Sequence, residues 1–471
     1  YSSDITGTTY QPSEIVLQCK KVFKNIIAYD KFDFDGKKES MYALRPAFDT
    51  VADMIGKGKK VPESLLEIFA QNPEYSAKLD SLINAKDKVP FKIFDKKNAE
   101  KLFGKNLNIS ASQLEKFNLC RFSYFCNYGL NVRERQRAEI NPMQYGTIVH
   151  YILERFFGEY TKEEYLSLEE DKFQKIVCAY LAEYAVKYFG EEQLESNSFT
   201  YRLKTILDNV MYLMKHIMEE LSQSEFFVAD CELKIGEDIP SYTIVLPDGH
   251  KIAVCGSVDR VDIMQRADIT YLRIIDYKTG TKQFKLSDIL YGINLQMLLY
   301  LHSIEASGGD KYGEIVPAGI LYMPATVPYI SSDSLKSIDK LPDELNKKLK
   351  MNGLLLKDTE IIHGMDKTDV ATYIPVKIKA GEPVSSTSLA TLAEFGKIFK
   401  KVDMLIAEMG KNIYNGNIEA KPLKGGHDSC EYCPYDSVCA YRQSNPITCF
   451  SVDNKTVIEE ITNEINGKEE E

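Results

Sequence analysis

No run of roughly 18 apolar residues, the length a bilayer-spanning helix needs, occurs in this 471-residue sequence. The nearest stretch, IVPAGILYMPATVPYI, is broken by prolines and suits a core strand followed by a loop. A G-x-x-x-x-G-K-[ST] motif is also missing, so these residues carry no ATP-binding loop of that type. No internal repeat is visible. The first residue is Tyr1 rather than methionine, with no basic-then-apolar leader, as expected of a fragment; targeting stays open and nothing argues for secretion. Excess positive charge is absent too: 58 Lys and Arg stand against 69 Asp and Glu, a net −11. That balance disfavours a general nucleic-acid coat, yet a local basic channel is compatible with it, because steering depends on where charge lies. Ten cysteines in a chain this long are too few for a disulfide scaffold.

What is present belongs to a globular protein, with 44% hydrophobic and 27% charged residues. The length allows two or three domains, each with its own core. Residues 1–106 alternate polar helical segments with turns and end in a Lys- and Asn-rich stretch, FDKKNAEKLFGKN, expected to be a linker. SASQLEKFNLCRF then starts a helix, with Ser112 and Glu115 spaced as a capping box. Residues 146–225 are almost continuously helical in pattern. The period changes at FFVADCELKIGE, and strands follow. SYTIVLPDGHKIAVCGSVDRVDIM is expected to form a hairpin about Pro247-Asp248-Gly249. YLRIIDYKTG gives the next strand, LSDILYGINLQMLLYLHSIEAS an amphipathic helix, and VPAGILYMPA a buried strand. Helices resume at 387–411. The acidic tail after Pro446 is expected to fray.

The cysteines divide into two groups. Cys19, Cys178, Cys231 and Cys255 are scattered among apolar or mixed residues and are expected to be buried thiols. Cys430, Cys433 and Cys439 instead form C-x2-C-x5-C within CEYCPYDSVCAY. Three thiols this close seldom serve packing. They point to a bound group.

In IIDYKTG, Asp276 and Lys278 sit two apart, so a strand points both to one face. A salt-bridged pair at a sheet edge is the plain reading. However, Asp259 in GSVDRVD lies on the second arm of the hairpin and can converge with Asp276 at one sheet end. Two carboxylates there suit Mg²⁺, which accepts phosphate oxygens, and a nearby lysine offsets charge building on phosphorus. Together they point to phosphodiester hydrolysis. His150 on a helix, and Gln296 with Tyr300 on one helix face, are compatible with either packing or this site. Glu232 in DCELKIG is either a further ligand or an exposed strand carboxylate.

Taken in order, GTIVH, GSVDRVD, IIDYKTG and LQMLLY resemble the RecB-like branch of the PD-(D/E)XK nucleases. With the three-cysteine cluster they resemble the AddB-type subunits of bacterial AddAB helicase–nucleases, over about residues 107–445. Residues 1–106 are more loosely similar to the end of the helicase-like region. The resemblance implies a restriction-endonuclease-like α/β core, a central mixed sheet flanked by helices, with large helical additions. It implies Asp259 and Asp276 as metal ligands, completed by His150 and the Tyr277 carbonyl, with Lys278 catalytic and Gln296 and Tyr300 holding the scissile strand. Cys120, Cys430, Cys433 and Cys439 would bind a [4Fe–4S] cluster that staples the domain. Arg121 stands where the family usually has proline, Cys126 is the rival fourth ligand, and zinc on the same thiols is the alternative cofactor. The implied function is Mg²⁺- (or Mn²⁺-) dependent exonuclease action on the 5′-ended strand of DNA breaks, for recombinational repair. The implied setting is a bacterial cytoplasm, with an AddA-type partner and no membrane. A stand-alone single-strand exonuclease and a catalytically silent DNA-binding subunit are the alternatives.

Overall fold

A computed structural model describes residues 14–23, 43–56, 59–85, 92–133, 142–190, 196–280, 283–328, 341–379, 381–384, 387–439, 441 and 446–469. The chain forms two compact units, Tyr1–Pro90 and Phe91–Glu471. In the first, helices Leu44–Gly56, Glu63–Gln71 and Ser76–Ala85 bury Phe48, Phe69 and Tyr75 against one another, with ring centroids 4.8 to 5.5 Å apart. Cys19, expected to be buried, is exposed on a helix, Glu14–Val22, that buries none of its side chains.

The second unit is built on a six-stranded mixed sheet. Its strands are β1 (Phe227–Ile235), β2 (Gly256–Arg266), β3 (Ile269–Lys278), β4 (Glu314–Pro324), β5 (Asn352–Leu356) and β6 (Leu389–Ala390), in the order β6-β5-β4-β3-β2-β1. β1, β2 and β3 run antiparallel to one another in turn, whereas β3 and β4 are parallel. A parallel pair needs a crossover. Helix α4 (Gln296–Ser307) supplies it and is buried on all sides from Met297 to Ile304, not amphipathic as the pattern suggested. β2 and β3 are also buried on both faces, which explains apolar runs such as LRII and VDIM.

Four further helices belong to this unit: α1 (Ala111–Leu119), α2 (Pro142–Glu159), α3 (Asn197–Ser222) and α5 (Leu392–Tyr414). The α1 capping box is Ser110 with Gln113, two residues earlier than Ser112 and Glu115. The expected linker is mostly helix, Lys96–Phe103, capped by Asp95. The expected hairpin exists between Thr243–Val245 and Lys251–Val254, but its second arm stops there and pairs with Asn106–Ile109 in a separate three-stranded sheet. The chain changes sheets at Cys255–Gly256, so Asp259 belongs to the central sheet rather than to the hairpin. The acidic tail does not fray either: α6 (Asn454–Glu469) buries Val457 and Ile461 completely, and Glu464 pairs with buried Lys401 of α5. Its apolar residues recur every four positions, a period that the run of glutamates obscures.

Candidate functional site

Strand register brings the carboxylates together. Arg260 of β2 faces Ile275 of β3, and continuing the ladder by one residue sets Asp259 beside Asp276. On the other side, Cys231↔Arg260 and Leu233↔Val258 bracket Glu232 opposite Asp259. Glu232, Asp259 and Asp276 therefore occupy one level on three consecutive strands. Alternation turns their neighbours Arg260 and Tyr277 to the opposite face. Glu232 reaches this level with a φ of 51°, a left-handed backbone uncommon for a non-glycine residue, just beyond a register shift between Val228 and Asp230.

Helix α2 brings His150 over the same end. Its Nδ1 lies 2.8 Å from Glu232 Oε1 and its Nε2 3.6 Å from Asp259 Oδ2. Ser257 Oγ donates to the other Glu232 oxygen at 2.8 Å, and the Tyr277 backbone N–H donates to Asp259 Oδ2 at 2.9 Å. Among the described residues, His150, Glu232 and Asp259 form the one set of ligand atoms that all lie within 4.8 Å of one another. Asp276 stands outside that set. Its Oδ2 meets Lys278 Nζ at 2.5 Å and its Oδ1 accepts from Gln296 Nε2 at 3.1 Å. Glu232, left open between ligand and surface residue, thus joins the candidate ligands. Its signal lay in the strand register, which the sequence does not display. Tyr300 is buried, with its phenol against Gly256; a Cβ at that glycine would lie 2.2 Å from the hydroxyl oxygen.

The electrostatics fit a cation. Burial, and then the charge of Asp276, push the Asp259 carboxyl up to about 7. Burial works against the His150 charge, yet the Glu232 hydrogen bond and the Asp259 charge raise its pKa overall. Burial likewise opposes the Glu232 charge, but hydrogen bonds from His150 and Ser257 lower its pKa. Carboxylates desolvated beside one another are relieved by a bound positive charge, and one imidazole with carboxylates is a donor set for Mg²⁺ or Mn²⁺.

Behind the site lies a network that the sequence did not announce. Arg260, Asp262, Arg273 and Glu220 are all fully buried. Arg260 binds Asp262 through two hydrogen bonds of 2.6 Å and Glu220 at 3.0 Å, while Arg273 binds Glu220 at 2.6 Å and Asp262 at 3.0 Å. Charged residues inside apolar strand sequence, in DRVDIM and YLRIID, were the available signal.

At the other end of α1, Cys120, Cys430, Cys433 and Cys439 line one cavity of about 160 Å³, with Phe122, Pro422 and Tyr441 among its walls. Cys126 is buried beside this cluster but does not line the cavity. Burial pushes the Cys439 thiol up to about 11, with the neighbouring thiols adding to the effect. A bound cation would reverse that bias and favour the thiolates. Four sulfurs around one tetrahedral zinc, each about 2.3 Å from it, stand roughly 3.8 Å apart. These four do not form such a tight set among the described residues.

Comparison with known proteins agrees with this geometry. A family model described as the PD-(D/E)XK nuclease superfamily matches residues 108–440. Proteins named as the B subunit of an ATP-dependent helicase/deoxyribonuclease are similar over nearly the whole chain. The one from Clostridium acetobutylicum is 31% identical, covering 93% of this chain and 40% of its own length. That from Clostridium kluyveri is 31% identical over 100% and 43%, and that from Ruminiclostridium cellulolyticum 32% identical over 95% and 41%. The chain thus spans about 40% of the length of the curated relatives it matches.

Proposed function

From the premise that the chain belongs to the PD-(D/E)XK nuclease superfamily, we propose that it is the metal-dependent deoxyribonuclease region of an AddB-type subunit. The observation that carries the reading is the level formed by Glu232, Asp259 and Asp276, with His150 above it and Lys278 at its rim. His150, Glu232 and Asp259 would hold Mg²⁺ or Mn²⁺, with Asp276 and the Tyr277 carbonyl as the further candidate ligands. The ion supplies Lewis-acid polarisation of a phosphate oxygen and acidification of water. Lys278, oriented by Asp276, offsets the charge that accumulates on phosphorus. Gln296 orients Asp276 from the other side, and Tyr300 supports the entry of β2 beneath Asp259. The nuclease region is residues 107–445, preceded by a helicase-like remnant.

The substrate is a single DNA strand or an unwound duplex end from a double-strand break, delivered by an AddA-type helicase–nuclease partner in the bacterial cytoplasm. That the similar proteins are known as B subunits of an ATP-dependent helicase/deoxyribonuclease supports such an assembly. Cys120, Cys430, Cys433 and Cys439 hold a [4Fe–4S] cluster, which their lining of one cavity without forming a tight single-ion set supports. Cleavage of end-labelled single-stranded DNA tests the proposal. The parent protein cleaves with Mg²⁺ or Mn²⁺ and stops with EDTA, and Lys278→Ala and Asp276→Asn are inactive but folded. Cleavage at the parent's rate by either variant refutes the site.

A further inference from the structure

Helix α4 begins with a residue that cannot cap it. Leu295 occupies the N-cap and makes no side-chain bond to the first turn, although the opening N–H groups of a helix need acceptors. The acceptor comes from another helix. Glu115 Oε1 of α1 accepts from Leu295 N at 2.8 Å and from Gln296 N at 3.3 Å. These are its only hydrogen-bond partners among the described residues. A carboxylate at a helix N-terminus is favoured by both charge-assisted hydrogen bonds and the helix dipole. Two further contacts hold α1 against α4 and the turn before it. Asn118 Nδ2 donates to Gly292 O at 3.0 Å, and the Ala111 backbone reaches the Tyr300 hydroxyl. α1 thus lies alongside the start of α4, and its own far end is Cys120.

We propose that Glu115 is a positioning residue for the nuclease site, fixing the start of α4 so that Gln296 stays against Asp276. The proposal rests on the nuclease reading given above. Asp276 is held from two sides, by Lys278 and by Gln296, and only the second contact depends on where α4 begins. Removing the Glu115 carboxylate leaves two N–H groups without acceptors at the residue that holds Asp276. The first turn then frays, and Asp276 swings toward Lys278. A glutamine keeps an oxygen that accepts the same N–H groups, so Glu115→Gln separates the hydrogen bond from the charge. Among the described residues, no other side chain of α1 accepts from these amides.

The experiment combines hydrogen exchange with cleavage kinetics on Glu115→Ala, Glu115→Gln, Gln296→Ala and the double variant Glu115→Ala/Gln296→Ala. Glu115→Ala speeds exchange in the peptide spanning residues 293–300 and leaves the central strands protected, whereas Glu115→Gln restores most of that protection. With single-stranded DNA and Mn²⁺, Glu115→Ala lowers kcat by roughly 10- to 100-fold with KM little changed, the size of a lost supporting contact. Glu115→Gln recovers most of kcat, and adding Glu115→Ala to Gln296→Ala lowers it little further. Unchanged exchange at residues 293–300 in Glu115→Ala overturns the proposal, as does full additivity of the two substitutions. A parent protein that cleaves no DNA under any metal condition instead refutes the nuclease reading, while the exchange result still decides whether Glu115 holds α4.

Discussion

Asp259 owes its unusual environment to neighbours on three elements: Glu232, His150 and the Tyr277 backbone meet it on one face, while Arg260, next in sequence, turns to the other. The D-x-K spacing made Asp276 and Lys278 legible in the sequence, because strand alternation depends on the backbone alone. Glu232 was not legible, since its pairing with Asp259 depends on a register shift two strands from the D-x-K motif. The buried charges behind them, Arg260, Asp262 and Arg273 on strands and Glu220 on α3, were missed because a charged residue is usually turned to water. Their network predicts a large stability effect. Glu220→Ala leaves two guanidinium groups against one carboxylate, and removing one partner of a buried set costs about 3 to 5 kcal/mol. Urea denaturation of the metal-free protein reads this directly; a loss below about 1 kcal/mol would mean that the network rearranges freely.

Between elements, His302 joins α4 to α5. Its Nε2 lies 3.0 Å from Asp403, its ring stacks on Phe399, and Glu305 and the hydroxyl of Tyr242 complete the surroundings. Burial opposes the imidazolium, but hydrogen bonds to Asp403 and Glu305 raise the pKa to about 9. Because the folded value lies above the ordinary 6.5, the contribution to stability is fully present below about pH 6.5. It disappears as pH rises through about 9. Asp403→Asn is therefore predicted to lower Tm most at pH 6 and progressively less toward pH 9.5. The largest gap corresponds to at most about 3 kcal/mol. A gap that is constant with pH would contradict it. At this scale the existence of helices and strands was legible, but their partners were not. The continuous apolar period of α4 does not announce burial on every side, and Cys255–Gly256 gives no obvious sign of a change of sheet.

Over the whole second unit, the thiol cavity joins Cys120, at the end of α1, to Cys430, Cys433 and Cys439 near the far end of the chain. The C-x2-C-x5-C spacing pointed to a bound group. The choice of Cys120 over Cys126 came from resemblance alone, and the cavity lining now favours it. A group held by all four closes a very long loop, so its loss should cost several kcal/mol, by analogy with long-loop crosslinks. Anaerobically purified Cys433→Ala and Cys120→Ala should be colourless, iron-free and protease-sensitive, whereas Cys126→Ala should remain brown. Iron kept by Cys120→Ala and lost from Cys126→Ala would reverse the assignment, and stoichiometric zinc in the parent would replace the cluster.

The central claim is that carboxylates on three neighbouring strands, with His150, assemble one site for a divalent cation. Calorimetric titration of Mn²⁺ into the parent protein and into Asp259→Asn measures that claim most directly. The account predicts saturable binding by the parent and none detectable in Asp259→Asn at the same concentrations, with both proteins folded by circular dichroism. Equal affinity in the two proteins would contradict it.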